Sequence, residues 1–369
     1  MRVVYLFNSS VPSYNASSLQ VVSMCNEISN TIGKLTLITP NTGLNKSLSE
    51  HYGIKKNFSV IKIKKFNKFP RGFNYYLYSI YSIFCAIKLR PNIFITRNYF
   101  TLFLLLLLRK KVIFEVHSSL SIEGRLVNFI VRYFKILDSK NIVNLVFITK
   151  SVKNFFYEKY KIKSKNVSIL SSASNIKTFL PKYQKKLFLK IGYFGLINKS
   201  RGVDFLCQLS KIDPRNKYYI YGGTRDFVNF YKRKFTNKNI FFHEYIPYKN
   251  IKNLICKMDL LVMPYEKKVT ASGNVGNIAS FTSPMKLFDY MSSSKPIIAS
   301  SLNVLKEVLV DKKNCIFVDS LNIFKWRLAV KKILLNNTQR EIISRNNFSL
   351  AKNYTYHKRV LKMFNGLRI

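Results

Sequence analysis

Residues 283–301, SPMKLFDYMSSSKPIIASS, predict a helix that leads into a short buried strand. Ser283 is a good N-cap residue, and Pro284 suits the first helical position because its ring fixes φ near the helical value. Apolar side chains then recur at helical spacing, including Leu287 and Met291. The serine run and the Lys-Pro pair end the helix, and the apolar residues 297–299 form the strand.

Lys286 breaks a local rule in this stretch. It falls in the first turn of the predicted helix, where a cation opposes the helix dipole. Such breaks are expected where a site is built, and a lysine beside free backbone N–H groups suits a bound phosphate. Asp289 follows three residues later on nearly the same face. The alternative is a capped core helix with a lysine that extends to the surface and a solvated aspartate.

The composition indicates a folded, strongly basic protein. The 369 residues are enough for two domains with separate cores, and a hydrophobic content of 47% excludes general disorder. The net charge of +45 favours nucleic acid, an anionic membrane surface, or a lysine-rich compositional bias. Because the basic residues are scattered and accompany abundant Asn, Ile, Tyr and Phe, we favour the bias and keep membrane attraction as an option.

The cysteines and the apolar segments indicate the cellular compartment in which the protein is expected. The five cysteines lie far apart and form no CxxC pair, which argues against a zinc site or a disulfide framework and indicates a reducing compartment. The N-terminal MRVVYLFNSS lacks a basic region followed by a long apolar run, so no signal peptide is expected. Segments 75–87 and 102–108 are shorter than the roughly 20 residues of a spanning helix. We therefore expect a cytoplasmic protein, with peripheral attachment to the inner face of the membrane as an option.

Strand and helix patterns alternate along the whole chain. Apolar runs that predict strands lie at 3–7, 35–39, 93–96, 112–116, 145–148 and 167–170, and again at 190–194, 217–221, 240–242, 260–263, 297–299 and 316–318. Helical patterns separate them, which predicts parallel sheets with helices on both faces. The change of composition at 175–190 marks a linker. The predicted fold is α/β, with two Rossmann-like, doubly wound domains that face a cleft.

Polar residues of interest follow two of these strands. Ligands of open parallel sheets bind beyond the carboxyl ends of the strands. His117 comes directly after strand 112–116; the alternative is a loop histidine bonded to a neighbouring carbonyl. In the second half, Gly195 follows strand 190–194, and Arg201 and Gly202 precede a helix, which suits a diphosphate. A plain basic turn with two glycines is the competing interpretation.

Several of these segments together resemble a known family. GYFGLINKSRGVDFL (192–206), DLLVMPY (259–265) and SPMKLFDYMSSSKPIIAS (283–300) resemble the C-terminal domain of family-4 retaining glycosyltransferases of GT-B fold, most of all the bacterial branch with the signature SPxK(L)FEYM. The first half is similar in VPSYNASSLQVVSMCNEIS, FITRN, FEVHS and VFITKSVKNFF. AKNYTYHKRVLKMF (351–364) resembles the closing helix of this fold. The resemblance implies an acceptor-side domain at 1–180, a donor-side domain at 187–350, and a closing helix in 351–369 that packs toward the first domain.

The family also implies an activity and a set of site residues. It implies transfer of a sugar from a nucleotide-sugar donor, with retention at the anomeric carbon and without a metal or another cofactor. By position, Asp289 corresponds to the second glutamate of the Glu–seven residues–Glu motif, which binds the ribose hydroxyls. Arg201 and Lys286 correspond to cations at the diphosphate, and His117 to a histidine near the donor sugar. Gly195, Gly202 and Ser283 complete the donor site that the resemblance implies.

Two departures from the family pattern affect the donor site. Phe281 occupies the position of the motif's first glutamate, and Leu196 replaces a common arginine after the loop glycine. Lys286 compensates for the second change. For the first change, Ser272, Gly273 or Asn274 of the preceding loop is predicted to donate hydrogen bonds to the sugar instead.

The sequence therefore predicts a metal-independent, retaining hexosyltransferase that acts on a glycan or lipid-linked acceptor in cell-surface polysaccharide or lipopolysaccharide biosynthesis. Its predicted partners are the nucleotide sugar, the acceptor and an anionic membrane. One alternative is a basic nucleic-acid-binding protein, although the chain shows no helix-turn-helix, zinc or RNA-recognition motif, so we expect no specific nucleic acid. A second alternative, motivated by Phe281, is a catalytically degenerate partner subunit.

Overall fold

A computed structural model describes residues 1–64, 71–117, 119–120, 123–175, 186–197, 201–266, 279–319 and 321–367, with backbone alone at Arg71 and Gly72. The chain forms two compact units. The first comprises Met1–Ser172 and Tyr356–Ile369, and the second comprises Ala173–Thr355. The second unit is thus inserted in the sequence of the first.

The first unit is built on a seven-stranded sheet in the order β3-β2-β1-β4-β5-β6-β7, with every pair parallel. Its elements are β1 (Arg2–Leu6), α1 (Ala16–Thr31), β2 (Lys34–Pro40), α2 (Leu48–Tyr52), β3 (Ser59–Ile63), α3 (Arg71–Ile87), β4 (Ile93–Thr96), α4 (Tyr99–Leu107), β5 (Val112–Val116), α5 (Arg125–Tyr133), β6 (Ile142–Phe147), α6 (Lys150–Tyr160) and β7 (Val167–Ile169). A short 3-10 helix, Ile136–Asp138, precedes β6.

Helices cover both faces of this sheet. The strand order runs one way from β1 through β2 to β3 and the other way from β4 to β7. Because crossovers between parallel strands are right-handed, α1 lies on one face and α3, α4 and α5 on the other. The central strands β4 and β5 are buried along their whole length, as expected for strands covered on both sides.

The second unit repeats this plan with six parallel strands in the order β10-β9-β8-β11-β12-β13. Its elements are β8 (Lys190–Phe194), α7 (Val203–Ile212), β9 (Lys217–Gly223), α8 (Arg225–Lys234), β10 (Ile240–Glu244), α9 (Tyr248–Cys256), β11 (Leu260–Met263), α10 (Met285–Ser292), β12 (Ile297–Ser300), α11 (Asn303–Lys306), β13 (Ile316–Val318), α12 (Ile323–Leu335) and α13 (Asn337–Ala351). The last helix, α14 (Tyr356–Met363), belongs to the first unit, where it packs against α1.

The predicted fold class, two Rossmann-like parallel-sheet domains, is confirmed. In each sheet the strand order reverses between two central strands, β1 and β4 in the first unit and β8 and β11 in the second. Open α/β sheets bind ligands at the carboxyl ends of the strands beside such a reversal. Within the described part of the chain, no helix is long and apolar enough to cross a membrane.

Candidate functional site

The helix that carries Lys286 starts one residue later than predicted. Its N-cap is Pro284, whose ψ of 120° is extended and whose side chain makes no cap hydrogen bond. The predicted N-cap role of Ser283 is therefore wrong: the proline ring fixes φ alone, and the extended ψ keeps Pro284 outside the helix. Lys286 still lies in the first turn of α10.

The ammonium of Lys286 is buried between two tyrosine rings. Nζ lies 4.0 Å from the ring centroid of Tyr193 and 5.0 Å from that of Tyr265. Nζ has no hydrogen-bond acceptor among the described residues. Burial, followed by the nearby positive charge of Arg201, lowers the pKa of Lys286 well below its usual value. A buried cation is costly to charge even between aromatic faces, and a bound anion would relieve that cost.

Arg201 shares one of these rings with Lys286. Its Cζ lies 5.7 Å from the centroid of Tyr265, so two cations lie over one aromatic side chain. Tyr265 follows β11 and Gly195 follows β8, the two strands at which the order of the second sheet reverses. The cations therefore lie at the edge of the sheet where a ligand is expected.

Two glycines allow the backbone to approach this pair of cations. A Cβ atom on Gly195 would lie 3.0 Å from Lys286 Nζ, and a Cβ atom on Gly202 would lie 1.7 Å from the carbonyl oxygen of Pro264. Gly202 also has a φ of +72°, which favours glycine, and it is the N-cap of α7. Glycine at position 202 thus fixes where the neighbouring Arg201 enters the site.

Asp289 lies on the same helix as Lys286 but contacts different residues. Its Oδ1 accepts hydrogen bonds from Ser174 Oγ at 2.6 Å and from Tyr248 Oη at 2.8 Å. Burial raises its pKa to about 6, and these two hydrogen bonds oppose the rise. The structure therefore groups Gly195, Arg201 and Lys286, while Asp289 belongs to a neighbouring polar cluster one turn of α10 further on.

His117 lies at the carboxyl end of β5 in the first unit, as predicted. Its Nε2 is buried 3.7 Å from Glu115 Oε2 and has no hydrogen-bond partner among the described residues. Burial, followed by the positive charge of Arg97, lowers the pKa of His117 to about 4. The imidazole is therefore neutral near pH 7 and keeps one ring nitrogen as an acceptor.

Glu115 anchors a buried polar network beneath His117. Its Oε2 accepts hydrogen bonds from Tyr5 Oη and Arg97 Nε, both at 2.7 Å, and its Oε1 accepts one from Arg359 of α14 at 2.5 Å. Burial raises the pKa of Glu115, but Arg97 and Arg359 outweigh it and hold the pKa well below its usual value. The carboxylate is charged, and it orients the residues around His117.

Sequence reasoning missed several of these residues. Tyr193, Tyr265 and the Glu115 network were not predicted, although a signal for the network exists. Glu115 stands in an apolar strand, VIFEV, and a buried carboxylate needs cations or donors close by. The predicted sugar contacts Ser272, Gly273 and Asn274 lie outside the described residues.

The second unit matches a known family. Residues 189–336 match the model for glycosyl transferases group 1. The chain thus carries a glycosyltransferase domain, which confirms the predicted enzyme class. No curated protein matches the chain. The hexosyl type, metal independence and the SPxK branch stay predictions.

Solved structures with the same fold span the whole chain. HepE from Anabaena, crystallised with UDP and glucose, superposes with a TM-score of 0.74 at 12% identity and covers 100% of both chains. Sucrose-phosphate synthase from Thermosynechococcus elongatus gives a TM-score of 0.73 at 12% identity, with coverage of 98% of this chain and 97% of that one. WaaG, a glycosyltransferase involved in lipopolysaccharide biosynthesis, gives a TM-score of 0.67 at 12% identity, with coverage of 99% of this chain and 100% of that one. Structural similarity at 12% sequence identity establishes that the chain has the GT-B fold of these proteins.

Proposed function

We propose that the protein is a retaining glycosyltransferase that moves a sugar from a nucleotide-sugar donor to a glycan or lipid-linked acceptor in cell-surface polysaccharide biosynthesis. The proposal includes action in the cytoplasm and no requirement for a metal. It rests on the glycosyltransferase domain at 189–336 and on the chemistry of the site in that domain.

The buried ammonium of Lys286, which has no hydrogen-bond acceptor among the residues that the structure describes, carries this proposal. Two cations over one tyrosine ring repel each other, and an anion between them would compensate both charges. The diphosphate of a nucleotide sugar has the required charge, and it gains further negative charge when the bond from the anomeric carbon to the phosphate oxygen breaks. Arg201 and Lys286 would therefore stabilise the leaving group.

Asp289 and His117 have separate roles in this proposal. A carboxylate that is held by Ser174 and Tyr248 can accept hydrogen bonds from ribose hydroxyls, so we assign Asp289 to the nucleoside. We assign the neutral imidazole of His117 to a hydroxyl of the donor sugar. We assign Gly195 and Gly202 to the close approach of the backbone to the diphosphate, since a Cβ atom at either position would meet neighbouring atoms.

A UDP-binding measurement with matched lysine variants tests the anion site. UDP is the first probe because HepE was crystallised with it. Ligand that binds the folded state raises the melting temperature. Lys286→Met should weaken UDP binding by about tenfold to a hundredfold, since a charge-assisted contact is lost. Lys306→Met, an exposed lysine on α11 of the same unit, is the control.

Equal UDP affinity of Lys286→Met and Lys306→Met would contradict the proposed anion site.

Phe281, at the position of a motif glutamate, favours a second candidate function, that of a degenerate partner subunit. An activity assay separates the two functions. The catalyst requires release of UDP from a UDP-sugar in the presence of acceptor-bearing membranes and loss of that release in Lys286→Met, whereas a degenerate subunit binds nucleotide without release.

A further inference from the structure

The helical layer α3–α5 of the first unit exposes an unusual set of large apolar side chains. Tyr133 and Phe129 of α5 are 70% and 54% exposed, and Phe134, directly after α5, is 53% exposed. On the adjoining helices Ile80, Phe84, Leu107 and Leu108 are also exposed. We call these seven side chains the α3–α5 face. Large apolar groups that cluster at a surface mark an interaction site.

The three aromatic side chains at and just after α5 form one connected cluster with Phe103 of α4. The rings of Phe129 and Tyr133 stack at 5.2 Å, and Tyr133 meets Phe134 edge-on at 5.1 Å. Phe134 in turn lies 5.4 Å from Phe103 of α4. These ring contacts join the exposed groups of α5 to α4, and α4 in turn packs against α3, which carries Ile80 and Phe84.

The surroundings of this face are cationic. Between residues 71 and 135 the sequence has ten lysines and arginines and two acids. The two acids are Glu115, which is buried, and Glu123, which is half-buried. The exposed cations of this layer lie on α5 or in the segments that directly follow α3, α4 and α5; they are Lys88, Arg90, Arg109, Lys111, Arg125, Arg132 and Lys135. Lys88 Nζ lies 4.3 Å from the ring centroid of Phe84.

We infer that the α3–α5 face docks this protein on an anionic membrane surface. Aromatic and aliphatic groups would enter the boundary between headgroups and acyl chains, while the flanking lysines and arginines attract anionic lipid. A second copy of the chain fits poorly, because two identical cationic faces repel. Nucleic acid stacks on aromatic rings but makes little use of Leu107, Leu108 and Ile80.

This inference goes beyond the proposed function, since vesicle binding does not depend on nucleotide binding. The test uses the full chain and flotation with vesicles of phosphatidylcholine alone or mixed with phosphatidylglycerol. We expect binding to the anionic vesicles only, and weaker binding at high salt. Phe129→Ser/Tyr133→Ser/Phe134→Ser should lower the vesicle affinity about tenfold or more.

A matched control uses the second unit. Phe324 and Leu328 of α12 are 67% and 66% exposed and also lie among lysines, so Phe324→Ser/Leu328→Ser removes comparable apolar surface elsewhere. This control should bind vesicles like the parent, and both variants should keep the parent's melting temperature and UDP affinity.

Four outcomes would overturn the inference. The first is binding to neutral and anionic vesicles alike, and the second is an equal loss of vesicle affinity in the α12 control. The third is a dimer of the parent that the α5 variant dissociates. The fourth is RNA binding that the same variant abolishes while vesicle binding persists.

A charge variant provides an independent test. Arg132→Glu/Lys135→Glu should weaken anionic-vesicle binding by about fivefold for each residue, and unchanged binding would count against docking through this face.

Discussion

Arg359 of the last helix donates a hydrogen bond of 2.5 Å to Glu115, which lies 244 residues earlier in the chain at the end of β5. Arg359 also donates to the carbonyl oxygens of Leu170 and Ser171. One guanidinium thus fastens α14 to the sheet of the first unit. The pair is almost completely buried, with side-chain exposures of 3% and 0%.

Glu115→Ala should therefore be strongly destabilising. It leaves the buried cations Arg97 and Arg359 without their carboxylate, and removing one partner of a buried ion pair costs about 3–5 kcal/mol. Urea unfolding measures the loss, and hydrogen exchange should show earlier opening of α14. Glu341→Ala, which breaks an exposed pair with Arg345 at 3.8 Å, should cost less than about 0.5 kcal/mol. Similar losses in the two variants would contradict the structural role of Glu115.

Gly202→Ala should disrupt the turn that positions Arg201. The new Cβ meets the carbonyl oxygen of Pro264 and the φ of +72° is strained for alanine, so we expect a loss of at least about 3 kcal/mol and weaker UDP binding. Gly366 has a similar φ of +77° but open space around it. Gly366→Ala should therefore cost only about 1 kcal/mol. Thermal melts and UDP titrations of both variants check the difference, and an innocuous Gly202→Ala would refute the close approach.

Asp289→Asn should change how stability depends on pH. The pKa of Asp289 is raised to about 6, so between about pH 4 and pH 6 the native state binds more protons than the unfolded chain, and stability falls as pH rises. Asparagine removes this effect and keeps an oxygen for Ser174 and Tyr248. Relative to the parent, the variant should gain on the order of 2–3 kcal/mol between pH 4 and pH 8.

Melting temperatures across that range check the prediction, with the exposed Asp226→Asn as the control. A stability difference that does not vary with pH would show that Asp289 titrates normally. UDP binding should weaken in Asp289→Asn and stay unchanged in the control, because only Asp289 is assigned to the nucleoside.

UDP binding should take up protons through Lys286. The pKa of this lysine is well below its usual value in the unliganded protein, and an anion beside it would raise that pKa. Calorimetry at about pH 8.5, where the terminal phosphate with a pKa of about 6 is already ionised, should give binding enthalpies that differ between buffers of different ionisation enthalpy. Lys286→Met should abolish the difference. Buffer-independent enthalpies in the parent would mean that Lys286 is already fully charged.

Much of the fold follows from local sequence. The strands Ile93–Thr96, Val112–Val116, Lys190–Phe194 and Leu260–Met263 have the predicted bounds, because short apolar runs between turn residues suit strands in the middle of a covered sheet. The edge strand Ile316–Val318 also has the predicted bounds. The short helix α2 was missed, since its five residues carry no apolar period, although Ser47 and Glu50 form a capping box.

The site was predictable in part. The sequence singles out Lys286 because a cation in the first turn breaks a local rule, and Arg201 because it stands between a glycine turn and a helix, and the structure brings the two side chains to one tyrosine ring. The positions of the Tyr193 and Tyr265 rings and of the network around Glu115 depend on which strands lie side by side. A local sequence pattern does not predict the order of strands in a sheet. The start of α10 was misplaced by one residue because Pro284 fits both the N-cap and the first helical turn.

The insertion of residues 173–355 within the first unit decides how the protein can be divided for experiments. A gene fragment encoding the second unit can be cut out as one continuous piece, whereas a fragment that stops at Ser172 discards the guanidinium that neutralises Glu115. Ser174 and Thr355 form a parallel bridge, so the two cut points lie close together. Splicing Tyr356 onto Ser172 through a short glycine–serine linker would keep the isolated lobe intact.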